Sequence, residues 1–422
     1  MQNLINQERL KATFFELVRY DTGSDAASLT APSTAKQQVL AEVLVQKLQA
    51  LGLHNVSLSE FGIVSGTLSA RGTSDVKVGF IAHMDTSPDV ATGPVTPLAH
   101  NYQEGDIVLN AAVKISALDL QNYKNHTILT SDGTTLLGAD DKAGIAEILE
   151  MLQVLKDNPN FNHPELKIAF TPDEEVGRGT ENFDIKTFGA DIAYTVDGSA
   201  PTDIDTETFN AFNPEIIITG MTVHTGYAYQ KMTSAIEIAN KFINALPQDE
   251  TPATTKDKEG YFHVLTIAGC AEKVKIDMLV RDFDFVTAQK RIAFLHSAAD
   301  DLMHSYPQAK ITIKDNEKYH NMNEKFALFP EMIELTKKAI TLSGLKPEET
   351  YVRGGTDGAE LTLRGLLTPN LGAGGENFHS LNEFVSLPIM CKCTENLLNI
   401  IKVWHEQADH LQTQIQKVSP CR

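Results

Sequence analysis

The stretch VKVGFIAHMD, residues 76–85, decides the reading of the chain: a short apolar run ends on His83 and Asp85. It is too brief for a buried helix and rich in residues that suit a pleated surface, so it reads as a buried strand. LKIAFTPDEE (residues 166–175) and ADIAYTVDG (residues 190–198) repeat the pattern, each an apolar run opening into polar residues. Between the first two of these runs, DDKAGIAEILEMLQVL (residues 140–155) has helical spacing. Strands alternating with helices predict an α/β fold with a mostly parallel sheet flanked by helices. In such sheets ligands bind beyond the carboxyl ends of the strands, which is where this chain places its acids and histidines.

Working outward, two helices are expected at about residues 4–20 and 34–51, separated by the turn-rich DTGSDAASLTAPST (residues 21–34) and closed by Gly52. From about Thr208 the character changes. EIIITGMTVHTG and VKIDMLVRDFD bracket the helical TSAIEIANKFINAL, and AQKRIAFLHSAADDLMHSY precedes the strand-like KITIKD. This predicts a smaller α+β sandwich, residues 208–322, inserted into a larger domain made of residues 1–207 and 323–422. The chain then resumes with the Gly-rich VRGGTDGAELTLRGLLTPNLGAGGENFHS and ends in an amphipathic helix at about residues 389–417.

Composition narrows the function. The 422 residues carry 36 Lys+Arg against 55 Asp+Glu, a net charge of −19, which makes nucleic acid and anionic membrane surfaces poor partners. No window approaches the ~18 apolar residues of a membrane-crossing helix, and MQNLINQERLKATFFELVRY is amphipathic where a signal peptide would be apolar. A cytoplasmic protein is expected. Four cysteines are too few for a disulfide framework. Cys391 and Cys393 stand two apart on a predicted helix and so point to different sides, which argues against a cysteine metal site.

Each candidate chemical group has a bland reading when taken alone. His83 and Asp85 leave an extended backbone on the same face, so the acid could orient a metal-binding imidazole, yet the pair also fits ordinary loop polarity. Asp140 and Asp141 could be helix caps; their position after an apolar run beside a glycine also suits a carboxylate aimed into a cleft. Glu174 and Glu175 would leave an extended segment on opposite faces, one for a metal and one for a water. Asp197 and His379 complete the set. Together, His, Asp, Glu, Asp and His recurring at successive strand ends supply the nitrogen and oxygen ligands of a two-zinc site, and two divalent cations would balance four clustered acids that otherwise repel. HEQADH (residues 405–410) has one residue too many for the zinc helix motif and reads as a solvated helix face. GRGTEN (residues 177–182) lacks the third glycine of a dinucleotide fingerprint, and neither GxxxxGK[ST] nor GxSxG occurs.

GFIAHMDTSPD, DGTTLLGADDKAGIAEI, FTPDEEVGRG, AYTVDG, VRDFD, RGGTDGAEL and TPNLGAGGENFH follow one another along essentially the whole chain. Together they resemble the tripeptide aminopeptidases of the M20 metallopeptidase family. The resemblance implies a zinc-peptidase-like catalytic domain interrupted by a lid domain of the kind that mediates dimerisation, so a homodimer is a partner to consider. It implies two Zn²⁺ per chain, with Co²⁺ or Mn²⁺ as substitutes: His83, Asp140 and Asp197 on one ion, Asp140, Glu175 and His379 on the other, Asp140 bridging. Glu174 would be the general base that activates water at the zinc pair, and Asp85 the partner of His83. His224, Arg281 and, less closely matched, Arg353 would correspond to substrate-binding residues.

The chain departs from the family pattern around the substrate segments. Members typically read near VHPGTAKGKM, DGG and TEGxEGF, where this chain has VHTGYAYQKM, DGS and TKDKEGY. The ligand and base positions are kept, so the departures bear on substrate choice. The leading expectation is an aminopeptidase releasing the N-terminal residue of tripeptides. The alternatives are a dipeptidase or N-acyl amino acid deacylase of the same family, and a noncatalytic peptide binder, against which the retained Glu174 counts.

Overall fold

The computed structural model describes residues 1–421. The chain divides into two compact units: Met1–Thr206, Glu324–Tyr351 and Thr356–Arg422 form the first, Glu207–Asn323 and Val352–Gly355 the second. The four residues Val352–Gly355, which include Arg353, thus join the second unit from a distant point in sequence.

The first unit is built on an eight-stranded sheet. Its centre is parallel, in the order Glu165–Thr171, Lys77–His83, Ile192–Gly198, Asn370–Gly372. Antiparallel strands extend it, Val64–Leu68 and His54–Leu58 on one side and Asp203–Thr208 on the other, beyond which Glu348–Val352 forms the edge. The three apolar runs read from the sequence are the three adjacent central strands. Their residues are buried almost without interruption, as strands covered on both faces require.

The helix Ala139–Asp157 lies against the strands Lys77–His83 and Ile192–Gly198. Its approach depends on Gly144, where a Cβ would come within 2.0 Å of the Val196 carbonyl oxygen. The C-terminal helix Leu387–Val418 packs on Ala139–Asp157 and on Glu331–Leu342. It buries Trp404, whose indole N–H donates to the Tyr194 hydroxyl at 2.9 Å, so the polar end of the largest buried side chain is satisfied. Cys391 and Cys393 of this helix are free thiols and both buried. Helices Gln7–Leu17 and Ala35–Ala50 occupy the expected N-terminal positions. None of the described helices is long and apolar enough to cross a membrane.

A four-stranded antiparallel sheet in the first unit escapes the sequence reading, in the order Gly375–Glu376, Phe384–Ser386, Thr127–Thr130, Leu98–Asn101. Its strands are two to four residues long, too short to show a period of two.

In the second unit the strands Glu215–Thr219, Lys273–Asp282 and Lys310–Lys314 carry helices Ala235–Ala245 and Phe285–Ser305 on one face. Val274, Ile276, Met278 and Val280 alternate into a core with Phe242 and Leu295. Each such side chain, fully buried, stabilises the fold by roughly 1.5–3 kcal/mol. The strand Tyr261–Gly269, paired with Lys273–Asp282, is not predicted because only its second residue is buried; the apolar alternation that signals a strand is missing.

Candidate metal centre

His83 closes the strand Lys77–His83, and Asp197 stands near the end of the neighbouring Ile192–Gly198. Both lie at the carboxyl ends of parallel strands, as the topology rule places a ligand site. Asp140 stands at the entrance of the helix Ala139–Asp157, after Gly138 in a left-handed conformation. The Asp140–Asp141 peptide is cis. His379 sits in the loop between Gly375–Glu376 and Phe384–Ser386.

These side chains converge. His83, Asp140 and Asp197 each offer a ligand atom, all within 4.8 Å of one another, and so do Asp140, Glu175 and His379. Asp140 belongs to both groups: its Oδ1 lies 2.8 Å from His83 Nε2 and its Oδ2 3.3 Å from His379 Nε2. His379 Nε2 is also 2.8 Å from Glu175 Oε2, and His83 Nε2 is 3.5 Å from Asp197 Oδ1.

The two neighbouring acids at the helix entrance divide their work. Asp141 is the cap: its Oδ1 accepts the Gly144 amide at 3.2 Å and its Oδ2 the His83 amide at 3.1 Å. Asp140 is thereby left free to face the histidines. Glu174 and Glu175 differ from the extended segment expected, because the chain turns after Thr171 and Glu174–Val176 is a 3₁₀ turn preceded by Asp173 at φ 60°. Asp85, fully buried, accepts the amides of Glu174 at 3.0 Å and Glu175 at 3.3 Å. The Asp85 Oδ1 lies 3.3 Å from His83 Nδ1, which has no aligned hydrogen-bond partner, so the contact is one of charge.

The sequence reading missed several residues that shape the cluster. Glu383, buried, accepts the amides of Leu137 and Gly138 at 2.8 Å and of Asp140 at 3.1 Å, so it holds the loop that presents Asp140. Asn370 receives the Asp197 amide at 3.1 Å and donates to Asp205 at 2.9 Å. The Asp89 carboxylate lies 3.0 Å from His379 Nδ1. Asp89 and Glu383 each stand four residues beyond a singled-out residue, Asp85 and His379, and that proximity was the only signal.

Electrostatics follow from burial and crowding. Burial, seconded by the charge of Asp140, pushes the Asp197 and Glu175 carboxyls up to about 7. Glu174 is raised well above the usual carboxylate range, first by burial. Burial would raise Asp140 too, but hydrogen bonds from His379 and His83 outweigh it and hold the group low. His379, gripped by Asp140 and Glu175, is raised to about 11. His83 is raised as well: burial opposes its charge, and Asp197 and Asp140 overcome it. In the bare chain, imidazolium protons thus neutralise the acids where a cation would.

The donor set fits a pair of divalent cations. Each group offers imidazole nitrogen and carboxylate oxygen, one carboxylate is shared, and Glu175 Oε1 is buried without a partner.

His224, Arg281 and Arg353 belong to the second unit and are described within it. His224 is exposed, and its Nδ1 accepts the Gly226 amide at 3.2 Å. Arg281 donates to the carbonyls of Phe212 at 2.7 Å and Val280 at 3.0 Å and to Asn213 at 3.0 Å. Arg353 donates to the carbonyls of Asp257 and Glu259 and to the Thr255 hydroxyl, and it covers the rings of Phe209 and Tyr261. In the HEQADH segment Glu406 and His410 are exposed, whereas His405 is half-buried against Gly72, with Nδ1 buried and without a hydrogen-bond partner.

Comparison with known proteins agrees with this geometry. Peptidase T of Geobacillus kaustophilus (strain HTA426) is 42% identical over 409 residues, 95% of this chain and 100% of that protein. The crystal structure of aminopeptidase PepT from Bacillus cereus superposes with a TM-score of 0.75 at 26% identity, covering 95% and 99% of the two chains. Bacillus subtilis YxeP, described as a dinuclear metal-binding peptidase of the M20 family, shares the fold with a TM-score of 0.64 at 12% identity over 95% and 98%. The model of peptidase family M20/M25/M40 matches residues 130–403. With two histidines and three acids converging at the strand ends, and with relatives along nearly its full length, the chain belongs to peptidase family M20/M25/M40 and is a hydrolase of the exopeptidase kind.

Proposed function

We propose that the chain is a dizinc aminopeptidase that releases the N-terminal residue of tripeptides. The observation that carries this reading is the sharing of Asp140 between two ligand groups, with Glu174 held beside them on the Asp85 carboxylate. The names of the similar proteins, Peptidase T and aminopeptidase PepT, point the same way.

In this reading His83, Asp140 and Asp197 hold one ion and Asp140, Glu175 and His379 the other. Zinc suits nitrogen and oxygen donors, and Co²⁺ or Mn²⁺ could replace it. Bound there, the metal pair would supply Lewis-acid polarisation of the scissile carbonyl and lower the pKa of the attacking water. Glu174 takes the proton of that water and returns it to the leaving amine. Burial raises its affinity for protons above that of an ordinary carboxylate, which suits a group that accepts a proton and then returns it. Asp85 keeps the His83 ring and the Glu174 turn in place.

Among the residues expected to meet substrate, His224 is favoured by its exposure. The inward hydrogen bonds of Arg281 and Arg353 support a bracing part for both.

The test is hydrolysis by the zinc-loaded protein of one simple tripeptide beside its N-acetylated twin, followed by amine release. Cleavage of the free tripeptide alone is expected. Cleavage of the acetylated twin alone would replace the reading with deacylation.

A further inference from the structure

We propose that Ser33 and Gln37, at the start of the second helix, clamp Asp173 and act as positioning residues for the general base Glu174. The inference rests on the reading of Glu174 given above, and it assigns a part in catalysis to the turn-rich N-terminal segment.

Glu174 lies on a turn whose first residue, Asp173, is in the left-handed region at φ 60°. A side chain there persists only where its surroundings hold it. Asp173 is 1% exposed, and its carboxylate is filled by one short segment of chain. The Ser33 amide donates to Oδ2 at 2.7 Å, the Ser33 hydroxyl to Oδ1 at 2.5 Å and Gln37 Nε2 to Oδ1 at 2.7 Å. In return Gln37 Oε1 accepts the Asp173 amide at 3.2 Å. Ser33 and Gln37 are themselves buried, at 6% and 0% exposure, so water does not compete for these bonds.

The turn is held from its other end as well. Arg178 donates to the carbonyls of Ser28 and Thr30, both at 2.9 Å. The same segment also braces the strand end that carries Asp85: the Ser24 amide donates to the Thr86 carbonyl at 3.1 Å, and the Thr86 amide to the Thr22 carbonyl at 3.2 Å. Asp85 in turn accepts the Glu174 and Glu175 amides. The base turn is therefore fixed on one side by Asp85 and on the other by Asp173. Residues 22–37 grip both supports while contributing none of the proposed metal ligands.

The experiment compares wild type with Gln37→Ala, Ser33→Ala and Asp173→Asn. Four quantities are followed: amide hydrogen exchange in the peptide spanning residues 172–178, zinc uptake by calorimetry, and kcat and KM on a tripeptide. Exchange at the turn should quicken at least about tenfold, with kcat falling by about tenfold to a hundredfold and KM changing less than about twofold. Zinc stoichiometry should stay at the wild-type value. Wild-type exchange at the turn in folded Gln37→Ala protein would overturn the proposal. So would faster exchange with unchanged kcat, since a clamp that serves stability alone lowers the melting temperature but not turnover per folded molecule. A wild-type chain that turns over no tripeptide would sink the aminopeptidase reading instead, and the exchange comparison, which needs no substrate, would still judge the clamp.

Discussion

The amide of Glu174 donates to Asp85 Oδ1 at 3.0 Å, and that same oxygen lies 3.3 Å from His83 Nδ1. One buried carboxylate thus couples the proposed base to a proposed metal ligand. Its loss should be felt in both. In Asp85→Ala, zinc affinity is expected to weaken by about ten- to a hundredfold, as for other carboxylates behind a ligating histidine, and kcat should fall with it. Asp85→Asn keeps one oxygen for the Glu174 amide but not the charge facing His83, so it should lose metal affinity more than base positioning. Isothermal titration with zinc beside steady-state kinetics would separate the two.

Glu174 should be dispensable for metal binding and indispensable for turnover, because neither ligand group includes it. Glu174→Ala is expected to retain zinc at the wild-type stoichiometry and to lose about 10²–10⁴-fold in kcat, the range of a single positioned base. Elemental analysis and peptide hydrolysis of the same preparation test this. Persistent turnover would show that another group takes the proton.

Metal uptake should release protons and strengthen with pH. In the metal-free protein His379 keeps its proton up to about 11, and Glu175 and Asp197 titrate near 7. At pH 7 an entering cation must displace the imidazolium protons of His379 and His83 and part of those on the two acids. Affinity should therefore rise between pH 6 and 8, by up to about tenfold per pH unit for each proton released. The stability of the metal-free fold carries both signs. The raised His379 contributes stability that is full below about 6.5 and is lost as pH rises through about 11. The raised carboxyls remove stability as pH climbs from their ordinary values of 3.8 and 4.5 through about 7. Zinc titrations in buffers of different ionisation enthalpy would count the protons.

Much of this site is legible in the sequence because its residues follow long apolar runs. His83, Glu174, Glu175 and Asp197 each stand at or just beyond the end of a central strand, and strand ends are where an α/β sheet exposes chemistry. His379 and Asp140 are harder, since one sits in a short hairpin and the other in a non-helical break in the first turn of a helix. They are legible only through the motifs around them. The supports are not legible at all. Glu383, Asn370 and Asp173 act through backbone amides or through partners more than a hundred residues away, and local spacing cannot announce such a bond. The bonds of Arg281 to the Phe212 carbonyl and of Arg353 to the Asp257 carbonyl are likewise long-range in sequence and leave no local signal.

Glu147 is a buried acid with no part in the site. It lies in the helix Ala139–Asp157 at 0% exposure, and neither carboxyl oxygen has a hydrogen-bond partner. Burial raises its pKa well above the ordinary 4.5, so the folded protein holds it protonated where the unfolded chain would ionise it. The sign follows from linkage: as pH rises above about 4.5 the unfolded state gains by releasing this proton, and the fold loses stability until the raised pKa is reached. Methionine has a similar length and no polar atoms. Glu147→Met should therefore stabilise the protein at neutral pH by about 1–3 kcal/mol, the cost of an unsatisfied buried polar group. Its advantage over wild type should grow between pH 5 and pH 7. Urea denaturation of both proteins at those two values measures it, and an equal or smaller gain at pH 7 would mean that Glu147 is stabilised by a partner such as a buried water.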